Sequence, residues 1–418
     1  MRVKTSEEEY EGILMPRPEI FDKGFLVLKL DNGYNIGIGE AKVQKIDVLE
    51  QYRGKEEQRR ERAQNPSLPT VSIVSFGGTI SSKVDYRTGG THADYTSEDF
   101  VQMMPELESV ANLRTRKVMG IMSEDMAPDD WKAMAEAVLH ELNDKDVAGV
   151  VVTQGTDTLH FSTAALSFFL RNLSKPVVFT ASQRSIDRGS SDAFMNLSCA
   201  IRAATSDIAE VMTCMHGSIN DDYCLLIRGT RVRKMHASRR DAFRPINEAP
   251  LGKVFADGKL EVINQNHRKR APGLVSIQHD IETRVGMIYV YPGIDPDIFN
   301  IFLEKKYRGI VVSATALGHT PTNPAFLRKL KELRGAGCLV VIASQTIYGR
   351  VHPYVYTNLR KLSIGLGCLF VMDMLPEVAY VKLMWALGQK KGVEAQKLML
   401  ANVAGEITER SDANSFLY

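Results

Sequence analysis

Short, largely apolar runs with no charged residue recur through most of this chain, and segments with helical spacing separate them. Val71–Phe76, Val147–Val152 and Val177–Ala181 are such runs. Between the first two, Asp129–Leu142 places Trp131, Met134, Ala135, Val138, Leu139 and Leu142 at helical spacing. Leu159–Leu173 and Ala193–Ala204 read as helices in the same way. A strand with no polar alternation is buried on both faces. Such strands alternating with helices predict a parallel sheet covered on both sides. A second set follows, with strands over Val285–Tyr291, Gly309–Ala314, Cys338–Ala343 and Cys368–Met372. Its helices, Pro296–Glu304, Pro324–Arg334 and Pro376–Leu387, each open on a proline, which suits a first helical turn.

The first 50 or so residues differ in kind. Ile13–Met15, Phe25–Leu30, Tyr34–Ile38 and Val43–Leu49 read as short strands, and Asn32-Gly33 between two of them is a strong hairpin signal. A small β-barrel or curled sheet is expected there. The almost wholly charged Arg53–Gln64 and the proline-broken Asn65–Pro69 read as a linker. The expected organisation is a barrel-like unit over 1–52, a charged linker over 53–69, and α/β units over 70–268 and 269–418. Val254–Ile263 interrupts the α/β rhythm with an Asp257-Gly258 hairpin.

Composition removes several classes. The 52 basic and 50 acidic side chains leave a net charge of +2, so no global basic field points to nucleic acid. No apolar run is long enough for a membrane-spanning helix, and the Lys/Glu-rich start is unlike a signal peptide. Five scattered cysteines without a C-x-x-C fit buried thiols in a reducing, cytoplasmic setting.

In open α/β sheets ligands bind beyond the carboxyl ends of the strands. Gly77-Gly78-Thr79-Ile80 follows the first strand, and Thr153-Gln154-Gly155-Thr156-Asp157-Thr158 follows the second. Alone, these read as a tight turn and as a helix N-cap. Lys234, in Arg228–Lys234, reads alone as a surface lysine. Together the threonines, the aspartate and the lysine make a nucleophile, base and orienting group without histidine, because a desolvated lysine can serve as a base. The sequence holds no G-x-G-x-x-G, P-loop, G-x-S-x-G or H-E-x-x-H pattern, and no metal site is expected.

Phe76–Ile80 and Thr153–Thr158, with Lys234, resemble the two signature motifs of the L-asparaginase/glutaminase family, and Asp192–Leu197 resembles a further family segment. The resemblance runs from about Thr70 to the C-terminus. Residues 1–50, which ordinary asparaginases lack, together with Tyr10–Pro16 and Gly78–Gly89, are similar to the subfamily of archaeal amidotransferase D subunits (GatD). The resemblance implies an asparaginase-like two-domain α/β fold with a small N-terminal β-barrel domain. It implies hydrolysis of glutamine, or less often asparagine, to release ammonia. A partner subunit, GatE, would use ATP and Mg²⁺ to convert Glu-tRNA(Gln) to Gln-tRNA(Gln) with that ammonia. No cofactor is implied in this chain. A homodimer core carrying two GatE chains is implied, with tRNA held mainly by the partner. A free cytosolic L-asparaginase with an N-terminal addition is the alternative.

By position, the resemblance makes Thr79 the nucleophile, on the side of a lid containing Tyr86. Thr156, Asp157 and Lys234 match the family's second cluster, with Lys234, held by Asp157, keeping Thr156 or its water basic. Backbone amides near Thr79 and Thr156 would hold the oxyanion. Ser123, Glu124 and Asp157 carry over as substrate-binding residues, the two carboxylates for the ammonium and the Ser123 hydroxyl for the carboxylate. Tyr348–His352 is read as a segment facing a partner.

Overall fold

The computed structural model describes residues 1–15, 24–31, 34–50, 65–78, 82–84, 91–93, 107, 109–186 and 190–417. The N-terminal unit supplies β1 (Arg2–Thr5), β2 (Glu9–Glu11), β3 (Ile13–Met15), β4 (Phe25–Lys29), β5 (Asn35–Gly39) and β6 (Val43–Asp47). They form two three-stranded antiparallel sheets, ordered β2-β1-β6 and β3-β4-β5. Val3 from one sheet and Leu28 and Ile38 from the other make the shared core. The expected barrel-like unit is thus a pair of small sheets among the described residues. The Asn32-Gly33 turn and the charged run 53–64 lie outside the described residues. The strands on either side of that turn pair in register, Lys29 opposite Asn35.

The next stretch carries β7 (Thr70–Ser75), β8 (Ser82–Val84), β9 (Thr91–Ala93), β10 (Asn112–Lys117), β11 (Val147–Thr153), β12 (Leu170–Arg171) and β13 (Val177–Thr180). After them come β14 (Val211–His216), β15 (Tyr223–Arg228), β16 (Val232–Lys234), β17 (Phe243–Pro245), β18 (Gly252–Phe255) and β19 (Leu260–Val262). The helices are α1 (Pro128–Leu142), α2 (Leu159–Phe169) and α3 (Ala193–Ala204). An eight-stranded sheet runs β10-β7-β11-β13-β14-β15-β18-β19. It is parallel as far as β14, as predicted, and antiparallel beyond. That extension includes the Asp257-Gly258 hairpin; a turn joins β14 to β15, and the segment bearing β16 and β17 joins β15 to β18.

Side chains alternate across this sheet. Val74 and Phe76 pack with α1 and α2, while Val71 and Ile73 pack with α3. Both sets are buried, which is why β7 reads as a largely apolar run. The second helix ends four residues earlier than its periodicity predicts, because Leu170–Arg171 pairs with β20 (Ser276–Ile277).

The second α/β unit has β21 (Val285–Tyr289), β22 (Gly309–Ala314), β23 (Leu339–Ser344) and β24 (Leu369–Phe370) in one parallel sheet, in that order. Its helices are α4 (Asn300–Glu304), α5 (Pro324–Gly335), α6 (Thr357–Arg360), α7 (Pro376–Gln389) and α8 (Gly392–Leu400). The start of the region predicted as one helix from Pro296 is a 3₁₀ turn, Pro296–Phe299, leading into α4.

Helix α7 is apolar nearly all round because it lies between the two units. Trp385 stacks on Phe168 of α2 at 5.6 Å, and one apolar core runs through both units. Ion pairs reinforce the seam. Arg231 and Asp373, each 1% exposed, meet at 3.0 Å, and Asp373 also accepts from the Thr408 amide and hydroxyl. Lys382 and Glu406, both fully buried, meet at 2.5 Å.

Removing one member of a buried pair leaves the other charge unmet in low dielectric. Asp373→Ala is therefore expected to cost about 3–5 kcal/mol, read by urea unfolding of the full chain.

Candidate functional site

The ends of β7 and β11 meet above the parallel part of the sheet. Gly77 and Gly78 adopt φ of 97° and 87°, a region glycine enters without strain. A Cβ on Gly78 would lie 2.1 Å from the Gly155 nitrogen, and one on Gly155 would lie 2.6 Å from Ser123 Oγ. Three backbone segments therefore touch where the two sequence motifs end. Thr79 and Tyr86 lie outside the described residues. The residue before Thr79 is packed on the turn that carries Thr156. The flanking strands β8 and β9 of the expected lid pair antiparallel, Val84 opposite Thr91.

Lys234, at the end of β16, reaches into this turn from across the sheet. Its Nζ donates to Thr156 Oγ1 at 2.8 Å and to Asp157 Oδ1 at 2.6 Å. The Thr156 hydroxyl is also 3.3 Å from Asp157 Oδ1, closing a triangle. The Lys234 side chain is 11% exposed and that of Asp157 is 60% exposed. An ion pair open to water on one side adds little to stability. Its consequence is orientation: the ammonium faces the hydroxyl it would activate. Lys234 holds the Asp157 carboxyl below the usual carboxylate range, chiefly by donating to it.

Ser123 and Glu124 sit in a 3₁₀ turn, Ser123–Asp125. Ser123 is buried and its Oγ accepts from the Asp157 amide at 3.2 Å, while its carbonyl accepts from Thr158 Oγ1 at 2.6 Å. Glu124 is exposed beside it. The structure thus brings Ser123, Thr156, Asp157 and Lys234 together, with Glu124 at the margin. An open cavity of about 530 Å³ is lined by Asp157, His160, Arg233, Lys234 and His236. Among the described residues no group of His, Cys, Asp and Glu side chains is placed to hold a metal.

Two neighbours escaped the sequence reading. His160, the second residue of α2, is buried. Burial, with Arg233 and Lys234 close by, pushes its imidazole down to about 3, so it is neutral beside two cations. Arg233, next to Lys234, grips Glu377 of α7 with both carboxylate oxygens, at 2.9 and 2.8 Å. Burial pushes the Glu377 carboxyl up. The partners lie 144 residues apart, and no local pattern in either segment announces the pair. With Arg231 on Asp373, two side chains near Lys234 are anchored in the C-terminal unit.

The Tyr348–His352 segment is partly tied down within the chain, while Gly349 and His352 stay exposed. Val351 is buried, Gly349 N donates to Asn247 Oδ1, and Arg350 donates to Thr408 and Glu409 carbonyls. These contacts tie it to the first unit and the C-terminal tail.

Replacing the cation isolates its effect on Asp157. In Lys234→Ala the Asp157 carboxyl is expected to titrate at higher pH than in the native chain, by carboxyl-carbon NMR. An unmoved titration would contradict the pairing.

Comparison with known proteins places this geometry. The family model described as "Asparaginase, N-terminal" matches residues 70–268, "Glutaminase/Asparaginase C-terminal domain" matches 284–400, and "GatD N-terminal domain" matches 1–49. The chain is 46% identical to the D subunit of the glutamyl-tRNA(Gln) amidotransferase of Pyrococcus furiosus, over 100% of this chain and 95% of that one. It is 46% identical to the corresponding D subunit of Methanothermobacter thermautotrophicus, over 99% and 94%. Among solved structures, the thermostable L-asparaginase from Thermococcus kodakarensis superposes with a TM-score of 0.71 at 29% identity, covering 82% of this chain and 100% of that one.

Proposed function

The chain belongs to the family of glutamyl-tRNA(Gln) amidotransferase D subunits, and we propose that it is the ammonia-producing subunit of such an enzyme. It hydrolyses the side-chain amide of glutamine, or less often asparagine. The GatE subunit uses the ammonia, with ATP and Mg²⁺, to convert Glu-tRNA(Gln) to Gln-tRNA(Gln) in the cytoplasm. The assembly is a homodimer of this chain carrying two GatE subunits, which hold most of the tRNA. The observation that carries the amidohydrolase reading is the Lys234–Thr156–Asp157 triangle at the mouth of the Gly78–Gly155 contact.

In this reading the Thr79 hydroxyl attacks the amide carbonyl under a closing lid that bears Tyr86. Lys234, oriented by Asp157, keeps the Thr156 hydroxyl or its water basic, so that the proton lost by Thr79 passes through it to the amide nitrogen, which leaves as ammonia when the C–N bond breaks. Water then cleaves the ester on Thr79 and releases glutamate. Amides near Thr79 and Thr156 hold the oxyanion, and losing one such donor typically costs on the order of 10²–10³ in rate. Asp157 and Glu124 receive the substrate ammonium, and the Ser123 hydroxyl faces its carboxylate. The match of residues 1–49 to a GatD N-terminal domain favours this reading over a free asparaginase.

The test is ammonia release from glutamine by the purified chain, alone and then with GatE and Glu-tRNA(Gln). Low activity that rises with both partners supports the coupled reading. Strong asparaginase activity indifferent to tRNA makes the chain a free enzyme. A second expectation concerns the acidic margin: Glu124→Gln raises KM for glutamine, and an unchanged KM removes Glu124 from the ammonium site.

A further inference from the structure

A second cleft, of about 320 Å³, lies at the opposite end of the large sheet, where the first unit meets the C-terminal tail. Arg171, Glu210, Arg228, Arg268 and the Val403–Gly405 segment line it. Glu210 precedes β14 and Arg171 ends β12, so the cleft is remote from the carboxyl ends of β7 and β11 where Thr156 sits.

The charges in this cleft do not cancel. Arg228 is 3.2 Å from Glu210 and 3.1 Å from Glu248, and its Nη2 donates to the Asn266 carbonyl at 2.5 Å. Each oxygen of Glu210 is taken, Oε1 by the Arg268 amide at 2.9 Å and Oε2 by Arg228. Each oxygen of Glu248 is taken as well, by Arg228 and by Asn264. No carboxylate in the cleft is left for the guanidinium groups of Arg171 and Arg268. Neither forms an ion pair or side-chain hydrogen bond among the described residues. Arg171 is half-buried, with its guanidinium 5.8 Å from the Trp385 ring centre. Burial and the like charge of Arg268 pull the Arg171 guanidinium below its ordinary range, against the opposing pull of the Glu406 carboxylate, which is itself paired with Lys382.

Two forked cations held near one another, one of them partly desolvated, are a recognition element for an oxyanion that accepts several hydrogen bonds. Two phosphate charges, on one phosphate dianion or on successive phosphates of a backbone, balance both cations and occupy both forks, whereas a single carboxylate leaves one charge over. We propose that this cleft is a phosphate-binding site, with Arg171 on its wall and Arg268 at its rim. The basic segment His267–Arg270, at the junction expected between the two α/β units, thereby gains a function. Arg270 is not available to the ligand, because it donates to the carbonyls of Ala148, Ala204 and Ser206. The wall opposite is the segment whose Ala404 and Gly405 carbonyls hold Thr230 and Arg231, so the cleft shares a wall with the strand leading to Lys234.

The probe is inorganic phosphate, titrated into the full chain at constant ionic strength and followed by calorimetry and phosphorus NMR. Saturable binding at one site per chain is expected. The double variant Arg171→Gln/Arg268→Gln should weaken it about tenfold or more, as expected for lost charged hydrogen bonds. Arg171→Lys/Arg268→Lys, which keeps the charge without the fork, should fall between. Lys234→Ala should bind phosphate as the native chain does, which separates this site from the amidohydrolase reading. Displacement of phosphate by an excess of mixed tRNA would identify the source as an RNA backbone, and its persistence would identify a free phosphate compound. Absence of saturable binding, or equal affinity in the native and Gln variants, overturns the proposal.

Discussion

Everything proposed for this site depends on one ammonium group placed between a hydroxyl and a carboxylate. Lys234 gains its position from the end of a short strand, β16, that among the described residues pairs with β17 alone. A three-residue strand does not fix a long side chain. What fixes it is the C-terminal unit. Arg233 donates from one nitrogen to both Glu377 carboxylate oxygens, Arg231 is locked on Asp373 and Gly405, and Thr230 is held by Ala404. The buried Lys382–Glu406 pair in turn pins that tail segment, where Glu406 accepts from the Val403 and Ala404 amides. Buried charges of this kind cost much in desolvation and add little net stability when paired. Here they set direction, and the direction is that of the lysine.

The glycines impose the complementary constraint. Gly78, Gly155 and Ser123 approach so closely that no side chain fits between the first two. The turn after β7 is therefore held against the turn that carries Thr156. A catalytic arrangement needs reacting groups held at contact distance, and backbone contact provides this without consuming side chains.

The large sheet was legible in the sequence because burial on both faces leaves an unmistakable apolar run, as in Val147–Val152. Its antiparallel extension was less so, because Tyr223–Arg228 is also apolar and direction leaves no mark on a single strand. The early end of α2 illustrates the same limit: Leu170 and Arg171 continue a helical pattern, and a pairing with Ser276–Ile277 overrides it. For the site, the strand-end motifs flagged Thr156 and Asp157, and their family likeness drew in Lys234. Arg233–Glu377 and the neutral His160 were invisible, since both arise from the packing of segments distant in sequence. Their detection required knowing that α7 lies between the units.

The account stands or falls on the chemical role of Lys234. The most direct measurement is the rate of ammonia release from glutamine by Lys234→Met, within the same assembly and with partner-stimulated native chain as reference, alongside its thermal melting. Methionine keeps the stem and removes the charge. The account predicts a fall in kcat of roughly 10²–10⁴, the range for losing a positioned proton-transfer group, with the melting temperature nearly preserved because the pair is open to water. A rate close to that of the native chain, in a variant of unchanged stability, would contradict it.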